Sequence, residues 1–451
     1  MNDDTPTAWW VGHSRALLLA VLPFTGFLIW GTWHAAAVAA AFTGHGSPMA
    51  LTWAASFLLL WWVVLAWLEA PFATTRRQQT QLDELVLTVQ VPVYNEDPHA
   101  LRRCLQSTLA QSRLPNRIHV VDDGSTDPDS YTQVKDWFLD EAARHGVAAS
   151  WRRTPNRGKR HAQMEVLADD QGDVFLTLDS DSVLEYRAID EGLKPFADPQ
   201  VMSVAGMVVV WNSKSNFLTM LTCMLYTSFT RGFRSAQSVI GQVMVNSGTL
   251  AFYRGWVIRD FAGAYENERL FGRPMQMNDD SFMTFAAMLH GKTVHQPSSV
   301  AFTLVPESLR HYFNQQLRWM RGTFVRQAWW FRYLSPRQFA FWMPFLELLG
   351  FLLSFLIAGY LAFGHVFDGH RTHLLATTAV VGIALNYTVA LRYFIIRRSD
   401  ESRWFTFATF LLAPVAGLWR LVFLRGLMLY AMVTFWKVSN WGTRASVEVA
   451  A

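Results

Sequence analysis

Several groups of residues in this chain have types and spacings that can do chemistry. Asp179-Ser180-Asp181 places two carboxylates one residue apart. Mg2+ and Mn2+ prefer such oxygen ligands and accept phosphate oxygens beside them, although an acidic turn can equally stay solvated. Asp279-Asp280 is a second acidic pair, just before an apolar run that predicts a helix over 282–290. Asp is among the best N-cap residues. The alternative is a general base, because neighbouring carboxylates raise one another's pKa toward the range such a base needs. Asp122-Asp123-Gly124-Ser125 is either an ordinary Asp-Gly turn or a hydrogen-bonding edge for uracil or ribose. Asn156-Arg157-Gly158-Lys159-Arg160-His161 gathers cations around a glycine, which suits a diphosphate or plain solvation. Gln315-Gln316-Leu317-Arg318-Trp319 lies in a basic, aromatic stretch, 308–333, that predicts a helix. Residues three and four apart share a helix face, so Gln315, Arg318 and Trp319 point together. They offer an amide, a forked phosphate donor and an apolar plate for a sugar ring. Against that reading stands an interfacial helix whose Arg and Trp merely anchor it.

The elements that must position these groups follow from periodicity. Strands are predicted at 84–93, 117–121, 150–153, 173–178 and 201–211, with helices over 99–112, 131–145 and 159–168 between them. A short strand is expected near 293–295. Alternating strands and helices predict a mostly parallel sheet, where ligands bind beyond the carboxyl ends of the strands. Tyr94-Asn95-Glu96, Asp122-Asp123 and Asp179-Ser180-Asp181 all fall at those ends.

Composition places this α/β domain in a membrane protein. The chain has 451 residues, 51% hydrophobic and only 16% charged, with 20 Trp and 33 Phe, aromatic residues being frequent at bilayer interfaces. Residues 16–42, 50–72, 341–367 and 373–396 are apolar over lengths that reach the ~20 residues a span requires. Residues 404–436 are apolar but interrupted by Pro414, Arg420 and Arg425, which predicts a broken or re-entrant piece plus a tilted span. Arg76-Arg77 and Arg397-Arg398 put the ends of two spans on the cytoplasmic side. The apolar run 217–229 is too short to span; with Arg231 and Arg234 after it, it predicts a helix lying at the interface. Residues 1–13 carry two Asp and no Lys, the reverse of a signal-peptide n-region. A net charge of +4 implies no nucleic-acid partner, and Cys104 and Cys223 have no disulfide or zinc spacing.

Taken in order, Val91-Pro92-Val93-Tyr94-Asn95-Glu96, Val121-Asp122-Asp123-Gly124-Ser125, Gly158-Lys159-Arg160-His161-Ala162, Asp179-Ser180-Asp181, Ser247-Gly248, Asp279-Asp280, Gln315-Gln316-Leu317-Arg318-Trp319 and Trp441-Gly442-Thr443-Arg444 resemble a processive family-2 glycosyltransferase, most closely the class I hyaluronan synthases. The resemblance implies a transmembrane hairpin over 1–80 and a cytosolic GT-A domain over 81–306, with an interfacial helix near 216–237. The motif-bearing interfacial helix over 307–336 and a transmembrane region over 337–451 would complete the chain. It implies that Tyr94, Glu96 and Asp123 contact the uridine with Lys159 nearby, and that Asp179 and Asp181 serve the nucleotide and Mg2+ or Mn2+. Asp280 would be the base. Gln315 and Arg318 would touch the diphosphate, Trp319 would line the acceptor site, and Trp441 and Arg444 would close over the nucleotide.

The implied protein is an inverting polymerase of the plasma membrane that takes UDP-sugars, extrudes a growing polysaccharide through its own spans and needs no obligatory protein partner. Two departures bear on the sugar. Hyaluronan synthases usually show Ser-Gly-Pro where this chain has Ser247-Gly248-Thr249, and Gly-Asp-Asp-Arg where it has Asn278-Asp279-Asp280-Ser281. A chitin-like or other N-acetylhexosamine polymer therefore stays open. So do a transferase acting on a lipid carrier and a catalytically silent transporter or receptor that senses nucleotide.

Overall fold

The computed structural model describes residues 6–12, 61–167, 170–275, 277–363 and 370–437, with positions 22, 23, 26, 29, 30 and 33. Its centre is an eight-stranded sheet. The strands in chain order are β1 (Leu87–Val93), β2 (Arg117–Asp122), β3 (Ala148–Arg153), β4 (Val174–Thr177), β5 (Val183–Leu184), β6 (Val201–Val210), β7 (Ala251–Arg254) and β8 (Lys292–Thr303), and they lie side by side as β3-β2-β1-β4-β7-β6-β8-β5.

The expectation of a mostly parallel sheet holds for one half. The β3-β2-β1-β4 ladders and β6 with β8 are parallel, whereas β4–β7, β7–β6 and β8–β5 are antiparallel. The sheet is therefore mixed. The strand expected near 293–295 runs for 12 residues despite Pro297. A register shift between Gln296 and Val300 absorbs the proline, as bulges do.

Both faces of the sheet are covered, which is why β1 and β6 are buried at every position. Leu87, Val89, Val91 and Val93 pack on one side with α1 (Pro98–Leu109) and α2 (Thr132–Arg144). Asp97 caps α1 by accepting from the His99 and Ala100 amides, with Pro98 in the first turn. On the other side α3 (Lys159–Leu167), α4 (Gly255–Glu266) and α5 (Asp279–His290) pack on Val121, Phe175, Ala251 and Tyr253. The buried Gln90 of β1 donates from Nε2 to the Ala162 carbonyl at 3.0 Å, so a polar group inside the sheet seats α3.

After β8 comes α6 (Leu309–Tyr333), capped by Ser308, then α7 (Phe339–Phe363) and α8 (His370–Ala390). The region expected to be broken consists of Arg403–Leu411, Ala413–Trp419, a π-helical turn Arg420–Leu424 and Arg425–Met432. Among the described residues, Ala413–Met432 is the one helical run long and apolar enough to cross a membrane. Most of the expected span over 16–42, and residues 50–60 of that over 50–72, lie outside the described residues. The end of the second, at 61–68, is helical, and the buried Glu69 just after it binds Arg392 and His295 at 2.7 Å each.

The run expected at the interface is helical over Phe217–Tyr226 and π-helical over Thr227–Arg234. Its two arginines turn into the protein. Both are buried: Arg231 donates to the Tyr393 carbonyl at 2.7 Å and Arg234 to Ser247 Oγ at 2.8 Å. Cys104 and Cys223 are free thiols, both buried.

Candidate active site

The three acidic motifs meet because β2, β1 and β4 are parallel neighbours that end together. Their side chains hold one another. Ser180 Oγ donates to Glu96 Oε2 at 2.7 Å, and the Tyr131 hydroxyl accepts from the Glu96 amide at 2.7 Å while donating to its carbonyl at 2.9 Å. Asn95, in the left-handed region at φ 49°, accepts from the Thr126 amide and donates its own amide to Ser125 Oγ. Glu96, expected at the uridine, thus turns its carboxylate inward to Ser180 and the Asp97 amide. Tyr94 stands half-buried at the strand end.

Asp123 accepts from the amides of Arg157 (3.0 Å) and Gly158 (2.8 Å). Burial raises its pKa, and the two amides pull it back. This grip sets the start of α3 and so delivers Lys159. The Lys159 ammonium, buried, bridges Asp179 Oδ1 and Asp279 Oδ2 at 2.7 Å each. Burial by itself would depress its pKa, but the two carboxylates outweigh that and hold it above the usual lysine value. A Cβ on Gly248 would lie 3.0 Å from Lys159 Nζ and 3.3 Å from both Asp179 oxygens, so the Ser247-Gly248 backbone passes directly against this pair.

Asp279 is not the N-cap. Asn278 holds that place at φ 61°, without a side-chain cap bond, and both Asp279 and Asp280 lie in the first turn of α5. The two carboxyls separate in character. Burial works against the Asp279 carboxylate, but Lys159 and then Arg160 lower its pKa. Burial and the adjacent Asp279 charge push Asp280 up to about 7. Two neighbouring titratable groups driven apart in this way suit an acid–base role.

Gln315, Arg318 and Trp319 share their face of α6 with Gly322, by i+3, i+4 and i+7 spacing. Gly322 touches Asn278: a Cβ there would stand 1.8 Å from Asn278 Oδ1. The expected face is therefore turned toward the Asn278-Asp279-Asp280 turn, with Trp319 41% exposed one turn before the contact. Trp441 and Arg444 lie outside the described residues. Ser281, singled out as a departure, points its hydroxyl back to the Asn278 carbonyl.

A divalent cation at Asp179 and Asp181 would need a nucleotide phosphate as co-ligand, because Lys159 already takes one Asp179 oxygen. Among the described residues no cluster of three or more His, Cys, Asp or Glu side chains could hold an ion without a co-ligand. Mg2+ is commonly held by one or two carboxylates plus substrate phosphates, and Asp181 stays partly exposed beside Asp179 at the strand end.

The motif reading did not single out Glu268 or Arg326, and used Arg234 only as the mark of an interfacial helix. Glu268 and Arg326 pair with each other through a 3.1 Å contact, and burial lowers the Arg234 pKa, with the Asp280 carboxylate working against that. Glu268 carries no local signal, being a lone acid after a helix.

A two-sided α/β sheet with acid-tipped neighbouring strands is the arrangement of a glycosyltransferase domain of GT-A-like fold. The chain belongs to the glycosyltransferase like family 2, whose model matches residues 85–322. The hyaluronan synthase of Streptococcus pyogenes serotype M1 is 33% identical over 361 residues, 80% of this chain and 83% of its own. An N-acetylglucosaminyltransferase of Azorhizobium caulinodans is 37% identical over 248 residues, 54% of this chain and 62% of that protein. Among solved structures, a mannosyltransferase from Pyrobaculum calidifontis in complex with GDP-Man and Mn2+ is 20% identical with a TM-score of 0.49, covering 87% of this chain and 99% of that one.

Proposed function

We propose that this glycosyltransferase is a membrane-embedded, inverting, processive polymerase of UDP-sugars that makes hyaluronan from UDP-GlcNAc and UDP-GlcA. The observation that carries the reading is Asp280. Its carboxyl, pushed up to about 7, sits in the turn that the Gln315-Arg318-Trp319 face of α6 covers. There it takes a proton from an acceptor hydroxyl, which attacks the anomeric carbon from the side opposite UDP. Trp319 seats the acceptor sugar, and Gln315 and Arg318 bind the diphosphate. Tyr94, Asp123 and Lys159 order the uridine side, and Trp441 and Arg444 close over it. Asp179 and Asp181 hold Mg2+ or Mn2+, which when bound neutralises charge on the leaving diphosphate.

Membrane embedding is supported by the apolar side chains exposed along the C-terminal helices, among them Trp342, Phe345, Phe355, Leu418 and Phe423. Apolar surface exposed on this scale suits contact with a bilayer, through which the proposed polymer would be extruded. In this reading the protein lies in the plasma membrane with its catalytic domain in the cytosol. UDP release from purified protein tests the assignment. Release that needs both UDP-GlcNAc and UDP-GlcA is expected; release with UDP-GlcNAc alone would replace hyaluronan with a chitin-like product. That second reading is favoured by the N-acetylglucosaminyltransferase relative and by Thr249 and Ser281 standing where the synthases usually differ.

A pH profile follows from the same carboxyl. A base works deprotonated, so kcat/KM is expected to rise about tenfold per pH unit below about 7 and to level off above it. A flat profile between pH 5.5 and 8 would remove Asp280 from the role.

A further inference from the structure

Three charged residues that no step above uses meet in the interior. Arg160, Glu268 and Arg326 are 4%, 7% and 1% exposed. Arg160 Nη1 donates to Glu268 Oε2 at 2.6 Å, and Arg326 Nη2 donates to the same oxygen at 3.1 Å. The three come from distant parts of the chain: the first turn of α3, the loop after α4, and the middle of α6.

What else they grip gives the trio a direction. Arg160 Nη2 donates to the Met277 carbonyl at 2.6 Å and the Asn278 carbonyl at 3.2 Å. These are the two peptide groups immediately before Asp279-Asp280. Arg326 lies four residues after Gly322, on the face of α6 that carries Arg318 and Trp319, and Gly322 presses on Asn278. The guanidiniums of Arg160 and Arg326 also both lie over the Phe282 ring, at 5.7 and 5.1 Å. Phe282 is in the first turn of α5, two residues after Asp280. The turn bearing the carboxyl is thus held from behind by α3 and from above by α6, and Glu268 ties those two holds together.

Packing alone does not account for the charges. Buried ion pairs repay their desolvation poorly, and apolar side chains of similar volume often do better. What a buried charged network supplies is a single register, because each partner is satisfied in one arrangement only. We propose that Arg160, Glu268 and Arg326 are positioning residues that lock the acceptor-side face of α6 to the turn carrying Asp280. They thereby set the register at which an acceptor hydroxyl meets the base. The proposal rests on Asp280 being that base.

The test uses the full-length protein with UDP-GlcNAc and UDP-GlcA as substrates and UDP as the binding probe. Glu268→Gln keeps the shape and removes the charge. It is expected to leave UDP affinity and donor KM within about twofold while lowering kcat for polymer by about 10- to 100-fold, as a misplaced reacting group does. The share of donor lost to water is expected to rise, because water needs no register on α6. Arg326→Lys, which keeps the charge and loses the fork, is expected to show the same split more weakly. Should Glu268→Gln fail to fold, Arg326→Lys decides by itself. An unchanged kcat overturns the proposal, and so does a parallel fall of kcat and UDP affinity, which would mark a merely structural trio. Asp280→Asn is run alongside. If it still polymerises, the base assignment falls and the proposal with it. If it is inactive while Glu268→Gln polymerises at the normal rate, the triad falls alone.

Discussion

Asp280→Asn is expected to lower sugar transfer by about 10²- to 10⁴-fold, the range typical for losing a positioned general base, with UDP affinity changed by less than about twofold. The separation of the two effects comes from geometry. Asp280 belongs to the first turn of α5, where its Oδ1 accepts the next amide, that of Ser281, at 2.7 Å. The contacts that organise the strand-end motifs run through Asp123, Glu96 and Lys159 instead. Asparagine is isosteric and keeps the first turn, but cannot accept a proton at neutral pH. Polymer yield and fluorescent-UDP binding on the same preparation would check it. Retained synthesis would sink the assignment, and a matching loss of UDP binding would place Asp280 in donor binding.

Lys159→Met should act more broadly. The ammonium sits 2.7 Å from both Asp179 and Asp279, and its removal leaves two carboxylates facing each other with little solvent. Breaking a buried pair by deleting one partner typically costs about 3–5 kcal/mol, so a markedly lower melting temperature is expected. The effect on chemistry has a definite sign. Burial and Asp279 raise the Asp280 pKa, and the Lys159 ammonium lowers it. Without it the carboxyl holds its proton to higher pH, and the midpoint of the pH–rate profile moves alkaline. Part of the rate lost at pH 7 should then return at pH 8.5. A variant whose midpoint stays where it was, despite folding, would show that Lys159 does not govern the base.

Much of the site is legible in the sequence because its parts are local. The apolar run over 84–93, followed by Tyr94-Asn95-Glu96, already places an acidic turn at a strand end, and helical spacing already aligns Gln315, Arg318 and Trp319. The expected helices over 99–112, 131–145 and 159–168 match Pro98–Leu109, Thr132–Arg144 and Lys159–Leu167 within a few residues. These features depend on periods of two and 3.6 residues, which a linear string displays. The strand expected near 293–295 proves far longer, and only its ladder with β6 shows that a bulge accommodates Pro297.

By itself, then, the amino-acid sequence determined which residues could carry the chemistry, the alternation of strand and helix, and the family to which the chain belongs. The tertiary structure decided how they are connected. Strand direction changes after β4 because pairing is a long-range choice that no local pattern encodes. Glu96 turns inward because Ser180, 84 residues away, offers it a hydroxyl. The near-neutral Asp280 arises from burial, Asp279 and Lys159 acting together, and Arg160 reaches Glu268 across 108 residues. Charge interactions of this size require several groups to leave water at the same place, and that condition is met only once the sheet, α3, α5 and α6 have packed.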